Sequence, residues 1–336
     1  MHGMVAMEDS EIDAVITWVD GSDPEHMAKR HEFMRLKAMK NPLYIPSGKG
    51  EHRFKNNNEI EYCVRGIKTY MPWIRRIFIV TDQQAPIFLS RSKWLSEGVF
   101  LVDHRTIFSG FEWALPTFNS MSIETMLHRI PGLASKYLYF NDDFIVVREA
   151  FPSDFFVSDR VVLRGHWQKN KSFGLLKTLL SGVAISAISI FSKKDRSAHV
   201  LPQIRAAKLA DVTNSVFLSS HAPHPIFKNI LTDFLCKNPV FVEKNIRYRF
   251  RNLNQFVAHS LAHHLQIASG KYLVAKEVDH VMVGFNNTIE ASHRLKLMHD
   301  DRVKFLCLQS FELASSDVRV DVERFLHERL GGCSGC

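Results

Sequence analysis

Short apolar runs alternate with stretches of helical spacing along much of the chain. Residues 12–18 (IDAVITW) are apolar and β-branched and predict a buried strand. The run passes into the turn Val19-Asp20-Gly21-Ser22-Asp23-Pro24, and residues 25–40 then have helical composition. Within residues 58–71, Ile60, Val64, Ile67 and Met71 recur at helical spacing, and Pro72, which lacks an N–H, ends the element. Further strands are predicted at 77–81, 99–102 and 137–140, with a helix near 120–130. This order predicts an α/β fold, a Rossmann-like and mostly parallel sheet flanked by helices. From residue 206 onward helical patterns dominate, interrupted at His221-Ala222-Pro223-His224-Pro225. The expected division is a Rossmann-like half over 1–165, a more helical half over 166–330 that completes the active site, and a flexible tail at 331–336.

Composition narrows the class. A hydrophobic fraction of 46% over 336 residues excludes a disordered chain and a multispan membrane protein. No repeat of solenoid or propeller length is visible. A net charge of +8 with 17 histidines predicts an anionic partner: nucleic acid, a phosphorylated metabolite, an anionic polymer or an acidic membrane surface. Five irregularly spaced cysteines do not make a disulfide framework and point to a reducing compartment. Residues 1–11 lack the basic-then-apolar order of a secretory signal, so a cytoplasmic location is expected. Residues 178–191 are nearly all apolar or small, with Lys169, Lys171 and Lys177 before them and Lys193, Lys194 and Arg196 after. That run is shorter than the roughly 20 residues a bilayer span needs. It is either a buried core helix or a peripheral contact with the inner face of the cell membrane. Cys333 and Cys336, in a glycine-rich tail, are expected to be bystanders.

Four constellations carry candidate chemistry. Tyr139-Phe140-Asn141-Asp142-Asp143 ends an apolar strand in one amide and two carboxylates. Ligands of open α/β sheets bind at such strand ends, and adjacent acids there suit Mg²⁺ or Mn²⁺ held against a diphosphate. A solvated turn would explain the same residues in isolation. Asp13 and the loop with Asp20 and Asp23 form a candidate nucleotide-facing turn, although GxGxxG and GxxxxGK[ST] are both absent. His221 and His224 flank a proline that forbids a helix interior, and a histidine there suits a general base better than a zinc site. Arg247, Arg249 and Arg251 alternate, so an extended chain would present them on one face to grip phosphate oxygens. A solvated basic edge or an RNA contact is the competing explanation.

These fragments occur in the order of a known family. IDAVITWVDGSDP resembles the first conserved region of the Stealth family. RFKNNNEIEYCVRGIKTYMPWIRRIFIVTDQQAP, followed by LPTFNSMSIETMLHRIPGLASKYLYFNDD, resembles its second, and His221-Ala-Pro-His224-Pro with the downstream Arg-Phe-Arg resembles its third. In the fourth region VKFLCL fits, but Gln309-Ser310 stand where the family has Asn-Asp.

The resemblance implies a capsular or exopolysaccharide phosphotransferase. Such an enzyme moves a hexose or N-acetylhexosamine 1-phosphate from a UDP-sugar to a hydroxyl of an oligosaccharide or polysaccharide acceptor, and UMP leaves. It implies Asp143 and Asp142 as catalytic acids and ligands of Mg²⁺ or Mn²⁺, His221 as base, and Arg251, with Arg249 as fallback, on the phosphates. Asp20, Arg53, Asn57, Asn119, Asn141 and His224 are expected to shape the donor pocket. A metal-dependent glycosyltransferase that releases UDP is the nearest alternative. A non-catalytic polyanion-binding protein is the alternative from another class, and nucleic acid is not an expected partner.

Overall fold

The computed structural model describes residues 11–35, 58–90, 94–169, 196–285 and 288–331. Arg53, Asn57, the segment 170–195 and both tail cysteines therefore lie outside the described residues.

Four predicted strands form the core of one sheet: β1 (Ile12–Thr17), β2 (Ile74–Thr81), β3 (Val99–Asp103) and β4 (Lys136–Asn141). β1 pairs in parallel with β2 on one side and β4 on the other, and β3 follows β2 in parallel. A fifth strand, His224–Phe227, pairs antiparallel with the outer side of β4, with His224 opposite Tyr139. The chain thus steps outward from β1 to β2 and β3 and then returns to the opposite side of β1 for β4. That reversal makes the carboxyl ends of β1 and β4 the topological switch point, where open α/β sheets bind ligands.

The period of two along each strand sorts the core. Ile12, Ala14, Ile16, Ile77, Ile79, Leu138 and Phe140 face one side, against Ile60, Val64 and Ile67 of the helix Glu59–Tyr70. Val15, Phe78, Val80, Tyr137 and Tyr139 face the other, against Ile123 and Met126 of the helix Ser120–Met126 and Leu261 of the helix Ala258–Ala268. Burial on both faces explains why β1 reads as an almost unbroken apolar run. The helix Glu59–Tyr70 also lies tight against β5 (Phe144–Val146). A Cβ at Gly66 would sit 2.4 Å from the Val146 carbonyl oxygen, so only glycine fits that contact.

The C-terminal half holds helices Lys228–Lys237, Pro239–Ile246 and Ala258–Ala268, but strands are interleaved with them. His224–Phe227 completes the central sheet, and Tyr272–Val274 pairs with Arg160–Leu163. Phe305–Gln309 pairs antiparallel with β5 and parallel with His280–Gly284. Strands are thus shared across residue 165, where the sequence suggests a division. Among the described residues no helix is long and apolar enough to cross a membrane.

Asp13 corrects one expectation from the sequence. It lies near the amino end of β1, away from the Asp20 loop, and is fully buried. Its carboxylate accepts from Arg75 Nε at 2.9 Å and Nη2 at 2.6 Å and from the Ala134 amide at 2.7 Å. It is a structural ion pair.

Candidate active site

The carboxyl ends of β1 and β4 are joined by a short relay of hydroxyl and amide groups. Thr17 and Asn141 are register partners. Tyr139 O–H donates to Asn141 Oδ1 at 2.8 Å, and its oxygen lies 3.1 Å from Thr17 Oγ1. The Tyr139 proton is committed to Asn141, so Thr17 is the donor in that second bond. Asn141 is thereby fixed immediately before the two acids.

Asp142 and Asp143 then turn the chain into β5. Burial, followed by the charges of Asp143 and Glu59, pushes the Asp142 carboxyl well above its ordinary range, although part of its surface reaches solvent. Among the described residues no lysine or arginine forms an ion pair with Asp142. Two adjacent carboxylates at this strand end suit a divalent cation. No three His, Cys, Asp or Glu side chains among the described residues are placed to cage one. The fit is to a cation that takes one or two carboxylates and completes its shell with phosphate oxygens and water, as Mg²⁺ does.

His221 reaches the same end of the sheet because its strand runs antiparallel to β4. The chain enters at His221, three residues before the His224–Tyr139 pair, and the His221 ring meets Phe144 edge-on at 6.3 Å. His224 itself is buried. Burial first, then the charges of His259, His263, His221 and Arg164, hold it neutral, well below its ordinary pKa. The structure packs it face to face with His259, with Tyr139 beside the pair.

Arg251 and Arg249 are held by different partners. The Arg251 guanidinium donates to Ser120 Oγ at 2.7 Å. Burial lowers its pKa, while the nearby charges of Glu124, Tyr139 and Asp143 raise it. Arg249 instead donates to the Trp113 carbonyl at 2.6 Å and lies over the Phe33 ring at 5.5 Å. The expectation of three arginines on one extended face fails, because this segment follows the helix Pro239–Ile246 as an irregular bend around fully buried Phe250.

Two other expected donor contacts are occupied by the framework. Asn119 is fully buried: its Oδ1 caps the helix Ser120–Met126 at the Met121 amide (3.2 Å), and its Nδ2 donates to the Tyr248 carbonyl (2.9 Å) and Gln255 Oε1 (2.8 Å). It ties the segment ahead of β4 to the loop that carries Arg251. Asp20 stands just past β1, where its Oδ1 accepts from the Ser22 amide at 2.9 Å and its main chain exchanges two bonds with the Gln84 side chain. It shapes the loop at the switch point.

Sequence reasoning missed Glu124 and His259. His259 Nδ1 bonds Glu124 Oε2 at 3.0 Å, and Glu124 also acts on Arg251 and Tyr139. The available signal was His259 and His263 one helical turn apart, with Glu124 the single acid between Glu112 and Asp142.

Two family descriptions match this chain: Stealth protein conserved region 1 over residues 10–38 and conserved region 2 over residues 53–163. The chain carries the first two conserved regions of the Stealth family. Asp20, Asn119, Glu124, Asn141, Asp142 and Asp143 fall within the two matched regions, whereas His221 and Arg251 fall beyond them.

Relatives of this chain include a capsular polysaccharide phosphotransferase of Actinobacillus pleuropneumoniae, 40% identical over 46% of this chain and 41% of the relative. An exopolysaccharide phosphotransferase of Streptomyces coelicolor is 32% identical over 77% of this chain and 26% of its own length. The receptor polysaccharide phosphotransferase WefC of Streptococcus oralis is 28% identical over 79% and 80%. The alignments thus span less than half of the Actinobacillus and Streptomyces proteins. Among solved structures, the galactosyltransferase LgtC with donor and acceptor sugar analogues overlaps 96% of this chain and 98% of its own, at TM-score 0.41 and 12% identity. Likeness at that level has no functional weight.

Proposed function

We propose that this chain is a sugar-1-phosphate transferase. It moves a hexose or N-acetylhexosamine 1-phosphate from a UDP-sugar to a hydroxyl of a saccharide acceptor in capsule or exopolysaccharide synthesis. The observation that supports this most is the gathering of Asp142, Asp143, Arg251 and His221 at the switch point of the sheet, from separate stretches of the chain.

In this reading the acceptor oxygen bonds to the phosphorus next to the sugar. The bond from that phosphorus to the bridging oxygen breaks, and UMP leaves with the bridging oxygen. His221 takes the hydroxyl proton. Arg251 binds the phosphoryl oxygens through its planar fork, with its guanidinium held by Ser120 Oγ. Asp142 and Asp143 would hold Mg²⁺ or Mn²⁺, which supplies neutralisation of diphosphate charge. Thr17, Tyr139 and Asn141 keep the acidic turn in place.

The test is nucleotide analysis after incubation with a panel of UDP-hexoses and UDP-N-acetylhexosamines and a saccharide acceptor, with and without Mg²⁺ or Mn²⁺. The reading predicts UMP, dependent on acceptor and metal. UDP as the nucleotide product would identify a glycosyltransferase instead. Salt-sensitive polyanion binding that survives D142A and H221A, without nucleotide release, would favour a binding protein.

A further inference from the structure

Asp143 is held from outside the central sheet. The strand Phe305–Gln309 lies antiparallel to β5, with Cys307 opposite Phe144. From that strand the Leu308 amide donates to the Asp143 carbonyl at 3.1 Å, and the Cys307 thiol donates to Asp143 Oδ2 at 3.6 Å. On the helix side, the Cys63 thiol points to the Asn141 carbonyl at 3.9 Å. Both thiols are fully buried.

Protonation decides what these thiols can do. A thiolate beside two carboxylates would repel them, whereas a thiol is a hydrogen-bond donor. At neutral pH an ordinary cysteine is a thiol, so the Cys307 Sγ–Asp143 Oδ2 contact pairs a donor with an acceptor. The Asp143 carboxylate thus meets a neutral donor delivered by a strand outside the central sheet.

We propose that Cys307 is a positioning residue, whose S–H fixes the orientation of the Asp143 carboxylate for cation binding. This rests on the reading of Asp142 and Asp143 as the pair that holds the metal. Removing the outer hydrogen bond of a metal ligand typically costs about 10–100-fold in affinity or activity, and a long thiol bond belongs at the low end.

The experiment compares the wild-type chain with C307A and C307S by Mn²⁺ titration followed by electron paramagnetic resonance, by thermal melting, and by the rate of UMP release. C307A should bind Mn²⁺ roughly tenfold more weakly and lose a similar factor in kcat, with little change in donor KM. C307S keeps a donor and should restore most of both, at a melting temperature like that of C307A. Wild-type Mn²⁺ affinity and kcat in C307A would overturn the proposal. So would C307S being no better than C307A, or a wild-type chain that binds no Mn²⁺. If Mn²⁺ binding follows the expected pattern but the wild type releases no UMP, the transferase reading falls and the role of Cys307 stands.

Discussion

His224 and His259 lie face to face, with ring centroids 3.9 Å apart and planes 6° from parallel. One comes from the strand beside β4 and the other from the helix Ala258–Ala268. Glu124 fixes the pair through His259 Nδ1, and the Tyr139 ring lies beside both histidines, 6.0 Å from His224 and 5.8 Å from His259. The stack therefore clamps the strand that delivers His221 to the acids. H221A should lower kcat by about 10²–10⁴-fold and remove the limb of the pH–rate profile that reports the base. H259A should lose less and keep that limb, because His259 acts through the clamp. E124Q, which retains an acceptor for Nδ1–H, should keep more activity than E124L. Steady-state kinetics across pH would check the order, and a wild-type profile in H221A would remove His221 from the chemistry.

Asp142 carries a stability cost at neutral pH. Its carboxyl is raised in the folded protein, so between about pH 3.9, its unfolded value, and the higher folded value the native state binds more protons than the unfolded chain. Stability from this group is therefore present in acid and lost as pH rises through the folded pKa. D142N removes the charge repulsion with Asp143 and Glu59. It should melt a few degrees above the wild type at pH 7–8, with the gain vanishing near about pH 4, while transfer is abolished. Melting curves over that range decide it, and a D142N protein less stable than wild type at neutral pH would contradict the account.

Asp13 should behave in the opposite way. Breaking a buried pair by removing one partner costs about 3–5 kcal/mol, and D13A belongs at the low end because Arg75 also pairs with Glu11. Denaturant unfolding should show that loss, with kcat per folded molecule unchanged. Loss of kcat at full stability would return Asp13 to the active site.

The central strands were legible because both faces of β1 are buried, which leaves an apolar run with no helical period. The acids after β4 were legible because polar side chains break such a run abruptly. The site beyond them depends on pairings remote in sequence. His224 opposite Tyr139, Asn119 on Gln255, and Cys307 on Asp143 link positions more than eighty residues apart, and no local period encodes them. Arg249 and Arg251 look equivalent in sequence. The bend around Phe250 sends one to Trp113 and the other to Ser120.

The central claim is that the acceptor attacks phosphorus rather than the anomeric carbon. A UDP-sugar radiolabelled at the phosphorus next to the sugar tests it directly. The account predicts that the label moves into the saccharide product as a phosphodiester while unlabelled UMP is released. Label retained in UDP, with a phosphorus-free product, would contradict it.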